Sequence, residues 1–342
     1  MSERAGDEAA STRQETNDEP RHSGLSLGEG AAVYAFDVGG TDTKAVVMDE
    51  HGDILEVIRV RTPRADIDPA EAVLANVVTL AGQFAVDHPE IVPQAVGLLV
   101  PGYVDDVAGV GIYSENLGWR DAPFRERAQQ LLGLPVFFGH DVRVAGEAEH
   151  RIGAAAPFRD VVIMAIGTGI AGAIFINGEI YAGGGMSGEM GHSAVADGPD
   201  CVCGSRGCLE AVASAGAIAR RYTAATGETV DGAREVLQRS RAGDEIASAI
   251  WESALDVLVL DLSHTVALLA PEAIVIGGGL AQAGDALFEP LRSRLDAMLT
   301  FQRRPLLLPA SIGENAGVIG AAMRARELLD APAMGGASGV SA

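Results

Sequence analysis

The stretch VYAFDVGGTDTKAVVMD, residues 33–49, and its counterpart DVVIMAIGTGIAGAIFINGEIYAGG, residues 160–184, decide how this chain reads. Each opens with an apolar run of strand length, turns through glycine and threonine, and resumes as a second apolar run. In the first, VYAFDV, AVVMD and ILEVIRV (residues 33–38, 45–49 and 54–60) read as three successive strands, with turns at Gly39-Gly40 and His51-Gly52-Asp53. In the second, Asn177-Gly178 supplies a hairpin signal before the third strand. One strand-and-turn order used twice marks an internal duplication. It predicts two α/β halves whose glycine turns face each other across a cleft.

The remaining pattern agrees with alternating α/β layers. Helices are expected over residues 69–86, after Asp141, and near residues 245–269, 284–299 and 315–329; strands are expected at AVGLLV (95–100), PVFFG (135–139) and AIVIGGG (273–279). Residues 1–29 and 331–342 carry glycine, serine and charge with little apolar periodicity, so they read as disordered or flexible tails. Between them the expected division is a first domain at 30–150 and a second at 151–330. No later apolar run approaches the roughly 20 uninterrupted residues of a membrane span. The N-terminus has neither an apolar core nor the basic character of a targeting segment, and three cysteines cannot all pair, so a reducing, cytoplasmic setting is expected. A net charge of -22 argues against nucleic acid or an anionic membrane as partner.

That same field bears on the turns. Asp37-Val38-Gly39-Gly40-Thr41-Asp42-Thr43-Lys44 can offer backbone N–H groups, hydroxyls and a lysine to phosphate, with Asp37 at the strand end for a hydrated Mg²⁺; it also reads as an ordinary hairpin turn. Gly167-Thr168-Gly169-Ile170-Ala171-Gly172 fits the spacing of a dinucleotide fingerprint. The run AIFINGEIY after it is strand-forming, however, whereas the fingerprint needs a helix to begin inside the glycines. Phosphate contact by a hairpin turn survives that objection. Gly277, Gly278 and Gly279 read equally as a close approach to a nucleotide and as a loose connection from strand to helix.

All three cysteines lie in HSAVADGPDCVCGSRGCLEA, residues 192–211. Cys201, Cys203 and Cys208 with His192 make a donor set for tetrahedral Zn²⁺ with no position left for water, which is the structural kind of site. Such a clip would fix Glu189 and Glu210 near one another, where each carboxylate could accept hydrogen bonds from a polyol.

These motifs together resemble the ROK family of sugar kinases and repressors, within the actin-like, ribonuclease-H-like ATPase superfamily. The resemblance rests on DVGGTDTK, GTGIAG, GEMGH (188–192), CVCGSRGCLE, IVIGGGL and ENAGVIGAA (from Glu314). It implies two ribonuclease-H-like domains flanking a cleft, with a small zinc loop in the second. It further implies that Asp37, Gly39, Gly40, Thr41 and Lys44 contact the first phosphate site, with Asp37 near Mg²⁺. Thr168 and Gly169 would contact the second, and Gly277, Gly278 and Gly279 would border the adenosine of ATP. Glu189, His192 and Glu210 would meet sugar hydroxyls, joined by Gly102 and Asn116, while Asp141 in FFGHDVRVAGEAEH would be the catalytic base. Sequence alone also allows Asp141 to be only a helix cap. His140 stands where the family commonly places an asparagine against the sugar, which leaves the choice of sugar open. The implied activity is transfer of the ATP γ-phosphoryl to the 6-hydroxyl of glucose, in a homodimer or higher homo-oligomer. Alternatives are fructose, mannose or N-acetylmannosamine as acceptor, polyphosphate as donor, or a sugar-sensing regulator without catalysis.

Overall fold

The computed structural model describes residues 26–330. Its first half runs β1 (Val33–Val38), β2 (Asp42–Met48), β3 (Ile54–Arg61), α1 (Pro69–Asp87), β4 (Ala95–Val100), β5 (Tyr103–Asp105), β6 (Val110–Tyr113), β7 (Arg120–Ala122), α2 (Phe124–Leu132), β8 (Val136–His140) and α3 (Asp141–Ile152). The second half runs β9 (Val161–Ile166), β10 (Ile170–Ile176), β11 (Glu179–Ile180), α4 (Leu209–Ala213), α5 (Ala215–Thr226), α6 (Gly232–Arg241), α7 (Glu245–Leu269), β12 (Ala273–Gly277), α8 (Asp285–Met298), β13 (Leu306–Pro309) and α9 (Ala316–Asp330).

The duplication is visible in the sheets. The first has the order β3-β2-β1-β4-β8 and the second β11-β10-β9-β12-β13, so each strand of one has its equivalent in the other. In both, the opening three strands pair antiparallel and the last two join parallel. Parallel addition brings the C-terminal ends of β1, β4 and β8, and of β9 and β12, to one side of each sheet, where ligand-binding loops of α/β folds gather. The three-stranded sheet of β5, β6 and β7, and the helices α2, α4, α5 and α6, were not expected from the sequence. Strands of three or four residues are too short to show a period.

Alternation puts two faces of the first sheet to work. Tyr34, Phe36, Val96 and Leu98 pack with α1 and α2, while Val33, Ala35, Ala95 and Leu99 pack with Val318, Ala321 and Ala325 of α9. In length and composition α1 qualifies as a membrane-crossing helix, more so than the expectation of interrupted runs allowed, because only Glu71 and Asp87 are charged. Its Val73, Leu74, Val77, Leu80 and Phe84 are nevertheless buried in the core formed with the first sheet.

Two chain crossings join the halves: α3 leads into β9, and β13 leads back into α9, which lies on β1 and β4 of the first sheet. Between them α3 packs on both α9 and β10. A Cβ on Gly146 would come 2.3 Å from Cβ of Ala173, so that contact with β10 requires glycine. Residues 26–29, read from composition as part of the tail, are held on the first half: Leu27 N–H donates to Gly52 O at 3.1 Å. The expectations for residues 1–25 and 331–342 lie outside the described residues.

Arg326 of α9 locks this entry segment. Its buried guanidinium donates to three backbone carbonyls, Ala31 (2.9 Å), Gly28 (2.7 Å) and Asp49 (2.6 Å). Arg326→Met leaves those acceptors unpaired and should cost about 2–4 kcal/mol of stability in urea denaturation. Arg326→Lys should recover only part, since an ammonium lacks the planar fork. An unchanged midpoint in Arg326→Met would show that the clasp contributes nothing.

Candidate functional site

The turn from β1 to β2 has every carbonyl bonded from behind. Thr62 Oγ1 donates to Gly39 O (2.7 Å), Arg64 Nη2 to Gly40 O (3.1 Å), Thr62 N–H to Thr41 O (2.9 Å) and Gly39 N–H to Asp42 O (2.9 Å). The N–H groups of Gly40 and Thr41 have no acceptor among the described residues. Such a turn presents donors, which is what an anion needs. In the second half Gly167 N–H closes the equivalent turn on Gly169 O (2.9 Å), Gly216 N–H donates to Gly167 O (3.4 Å), and the N–H groups of Thr168 and Gly169 are likewise without acceptors among the described residues. Gly277 pairs with Ala165 at the end of β9, so Gly277, Gly278 and Gly279 adjoin this second turn.

Lys44, expected on phosphate, has its ammonium committed elsewhere in this structure. It donates to Glu314 O (2.8 Å) and Asn315 Oδ1 (2.9 Å) at the start of α9, 3.5 Å from the Glu314 carboxylate. Burial lowers its pKa, against the pull of Glu314. Sequence reasoning assigned no role to Glu314, Asn315 or Gly317. A Cβ on Gly317 would fall 2.1 Å from Asp37 Oδ2, so α9 approaches the strand-end carboxylate only through glycine.

β4 and β8 run parallel, with Val100 opposite His140, so Gly102 follows the strand end that lies beside the start of α3 at Asp141. Asn116 lies on the exposed loop between β6 and β7. Asp141 accepts from Val142 N–H at 2.7 Å. His140 caps the same helix: Arg143 N–H donates to its Nδ1 at 3.2 Å, so the ring hydrogen sits on Nε2, 3.3 Å from Asp141 Oδ1. Burial, and then Arg143, push the His140 pKa down to about 4, and the imidazole is neutral at pH 7. The buried Arg143 pairs with Asp106 at 3.3 Å; nothing in the sequence pattern marks it.

Asp37 and Asp141 lie within electrostatic reach of each other. Burial raises the Asp37 pKa to about 7, with Asp141 adding to the rise and Lys44 opposing it. Asp141 is also raised to about 7, by burial, against the N–H of Val142, its own N–H and the Arg143 charge. From the second half, Glu189 is raised by burial, opposed by His140 and His192 and reinforced by Asp141 and Glu210. Residues from both halves thus share one site. Glu210 reaches back from α4 and accepts from Ile170 N–H at 2.8 Å, which ties it to the second turn. Tyr103 of β5, unnoticed in the sequence, has its phenol raised by burial and then by Glu189 and Cys203, so it reaches the same wall.

His192, Cys201, Cys203 and Cys208 converge with all four donor atoms within 4.8 Å of one another. His192 Nδ1 is 3.6 Å from Cys201 Sγ, and Cys203 Sγ is 3.6 Å from Cys208 Sγ. A tetrahedron with Zn–S bonds of about 2.3 Å has edges of roughly 3.8 Å, so the cluster fits a structural zinc. Burial pushes the Cys208 thiol up to about 12, which means a bound cation is what would hold it as thiolate. With Nδ1 toward the thiols, His192 turns Nε2 toward Glu189, 3.9 Å away.

Two outcomes follow from this geometry. The folded chain holds protons on Asp37 and Asp141 that the unfolded chain, with its ordinary value of 3.8, releases, so stability falls as pH rises from about 4 to 7 and stays low above. Asp37→Asn should therefore be more stable than the parent by about 1–3 kcal/mol at pH 8 without divalent cations, and no more stable at pH 4. Equal urea midpoints at pH 8 would refute the raised pKa. For the cluster, elemental analysis should find one zinc per chain, lost together with several degrees of thermal stability in Cys208→Ser; zinc-free protein of undiminished stability would exclude a structural metal.

Residues 33–327 match the ROK family. A glucokinase of Streptomyces coelicolor is 32% identical over 325 residues, covering 89% of this chain and 98% of that protein. An N-acetyl-D-glucosamine kinase of Pasteurella multocida is 30% identical over 306 residues, covering 84% and 97%. Among solved structures, a ROK family glucokinase from Streptomyces griseus in complex with glucose and AMPPNP superposes with a TM-score of 0.74 at 30% identity, covering 86% of this chain and 99% of that one. Two duplicated sheets, a His/Cys₃ cluster in the second half and this extent of likeness make the chain a member of the ROK family.

Proposed function

We propose that the protein is an ATP-dependent hexose kinase that transfers the γ-phosphoryl to the 6-hydroxyl of glucose. The observation that carries this reading is the convergence of Asp141 and His140 from the first half with Glu189 from the second, between two turns with free N–H groups. It is supported by the glucokinase relative and by the related glucokinase that holds glucose and an ATP analogue.

In this reading the N–H groups of Gly40, Thr41, Thr168 and Gly169 receive phosphate oxygens, and Gly277, Gly278 and Gly279 border the adenosine. Asp37 holds a divalent cation, whose charge would offset that of the nucleotide and lower the raised pKa of its ligand. Asp141 accepts the hydroxyl proton as the phosphoryl group transfers. Glu189, Glu210 and His192 accept from or donate to other hydroxyls, with Gly102 and Asn116 beside them. Since capping fixes its tautomer, His140 offers the sugar a donor and no acceptor. An acceptor oxygen such as a ring hydroxyl or an acetyl carbonyl fits that donor, and the N-acetyl-D-glucosamine kinase relative makes an N-acetylhexosamine the second reading. In this reading the working partners are small molecules in the cytoplasm, and assembly is as a homodimer or higher homo-oligomer.

A coupled assay with MgATP and a panel of hexoses and N-acetylhexosamines tests the proposal. Glucose should give the highest kcat/KM, and Asp141→Asn should lower kcat by about 10²–10⁴. Because the base must be ionised, the parent's rate should rise with pH through about 7 and level off above it. Undiminished turnover in Asp141→Asn would remove the assigned base, and no turnover of any sugar would remove the kinase reading.

A further inference from the structure

Glu149 stands in the last turn of α3, is 2% exposed, and makes bonds that the site described above does not use. Its Oε2 accepts from Ala154 N–H (3.0 Å), Ser311 N–H (3.2 Å) and Ser311 Oγ (3.4 Å), and its Oε1 accepts from Ile312 N–H (2.7 Å). Ala154 belongs to the crossing from α3 to β9, and Ser311 and Ile312 belong to the crossing from β13 to α9. One buried carboxylate therefore binds together both connections between the halves. A Cβ on Gly153 would lie 2.1 Å from Glu149 Oε2, so the first crossing is wrapped tightly on that oxygen.

What lies on either side of this node matters for the reaction. Along α3, two helical turns back, is Asp141. Two to five residues beyond Ile312 come Glu314 and Asn315, which hold Lys44, and Gly317, which lies against Asp37. Any opening or closing of the cleft must bend these two crossings, because they are the only covalent connections between the halves among the described residues. Were the two crossings free of each other, they would bend about different points, and Asp141 would swing relative to the Asp37 turn.

We propose that Glu149 is a positioning residue, the shared pivot that makes both crossings bend about one point and so keeps Asp141 in register with the phosphate turn as the cleft closes. Four donors need the lone pairs of two anionic oxygens; a neutral amide has one accepting atom, and its NH₂ would face N–H groups. The inference rests on the kinase reading for its kinetic test and on geometry alone for its exchange test.

The experiment compares Glu149→Gln and Glu149→Asp with Arg326→Met, whose lesion is remote from the crossings. Glu149→Gln should lower kcat about tenfold or more while the hexose KM stays within about threefold, because transition-state alignment rather than sugar binding is lost. Amide hydrogen exchange at Ser311 and Ile312 should accelerate at least about tenfold in Glu149→Gln. Glu149→Asp, which keeps both anionic oxygens, should recover part of each, and Arg326→Met should lose stability with kcat unchanged. The proposal is overturned if Glu149→Gln keeps the parent kcat, or if kcat falls in Arg326→Met as it does in Glu149→Gln for equal loss of stability. If the parent phosphorylates no hexose, the kinase reading fails and exchange decides alone. Without any ligand, Glu149→Gln should then exchange faster than the parent across both residues 153–160 and 310–315, and parent-like exchange in either crossing overturns the pivot.

Discussion

A turn whose four carbonyl oxygens are all hydrogen-bonded from behind has only N–H groups left to present, and the rest of this site depends on that constraint. Thr62 and Arg64 impose it on the first turn by bonding Gly39, Gly40 and Thr41 from the segment that follows β3. The chain as a whole carries a charge of -22, and Asp37, Asp141 and Glu189 would each add to it inside the site when ionised. A polyanionic ligand can be held there only if oriented donors and a cation outweigh that field. Burial raises the pKa values of Asp37 and Asp141 to about 7, and a positive charge or hydrogen-bond donor placed beside either carboxyl would favour its ionised form.

The His/Cys₃ cluster is built into the same frame. Cys208 is the residue before α4, Glu210 stands in that helix's first turn, and its Oε2 reaches Ile170 at the end of the second glycine turn. His192, the fourth member, is three residues from Glu189 and turns its second ring nitrogen toward it. A metal fixing the thiolates would therefore help set two carboxylates and the second glycine turn at once. Tyr103 closes the wall from the other half, where the sequence shows only a tyrosine after proline and glycine.

What could be read from the sequence was whatever is encoded locally. Strand, glycine turn, strand is a period-two pattern with a backbone requirement, and it was legible twice; cysteines crowded into one loop declare a ligand set without any tertiary knowledge. The place of Asp141, at a strand end followed by a helix start, was legible, whereas its role as base came only from the family resemblance. The partners of buried polar groups were not. Lys44 reads as a phosphate ligand because it follows a turn of glycine and threonine, but in this structure its ammonium meets a carbonyl 270 residues further along the chain. Periodicity says which face of an element is buried and says nothing of which element covers it. The same reason hid the return of α9 to the first sheet and the reach of Glu149 to Ser311.

The duplication is also asymmetric, and the asymmetry follows the chemistry. Two residues before the turn glycine the first copy has Asp37, where the second has Ala165; at the close of the last parallel strand the first copy has His140 and leads into Asp141, and the second has Pro309 and leads into Ala310. Two copies each bearing strand-end carboxylates would place four mutually repelling groups in one low-dielectric cleft, and each added charge would raise the pKa of the others until none was ionised near neutrality. Confining the strand-end acids to one half and leaving the other with backbone donors avoids this. The half that carries Asp141 then has to be held in register with the half whose glycine turn presents only N–H groups. A fold that divides its chemistry in this way depends on the two crossings between the halves as much as on either sheet.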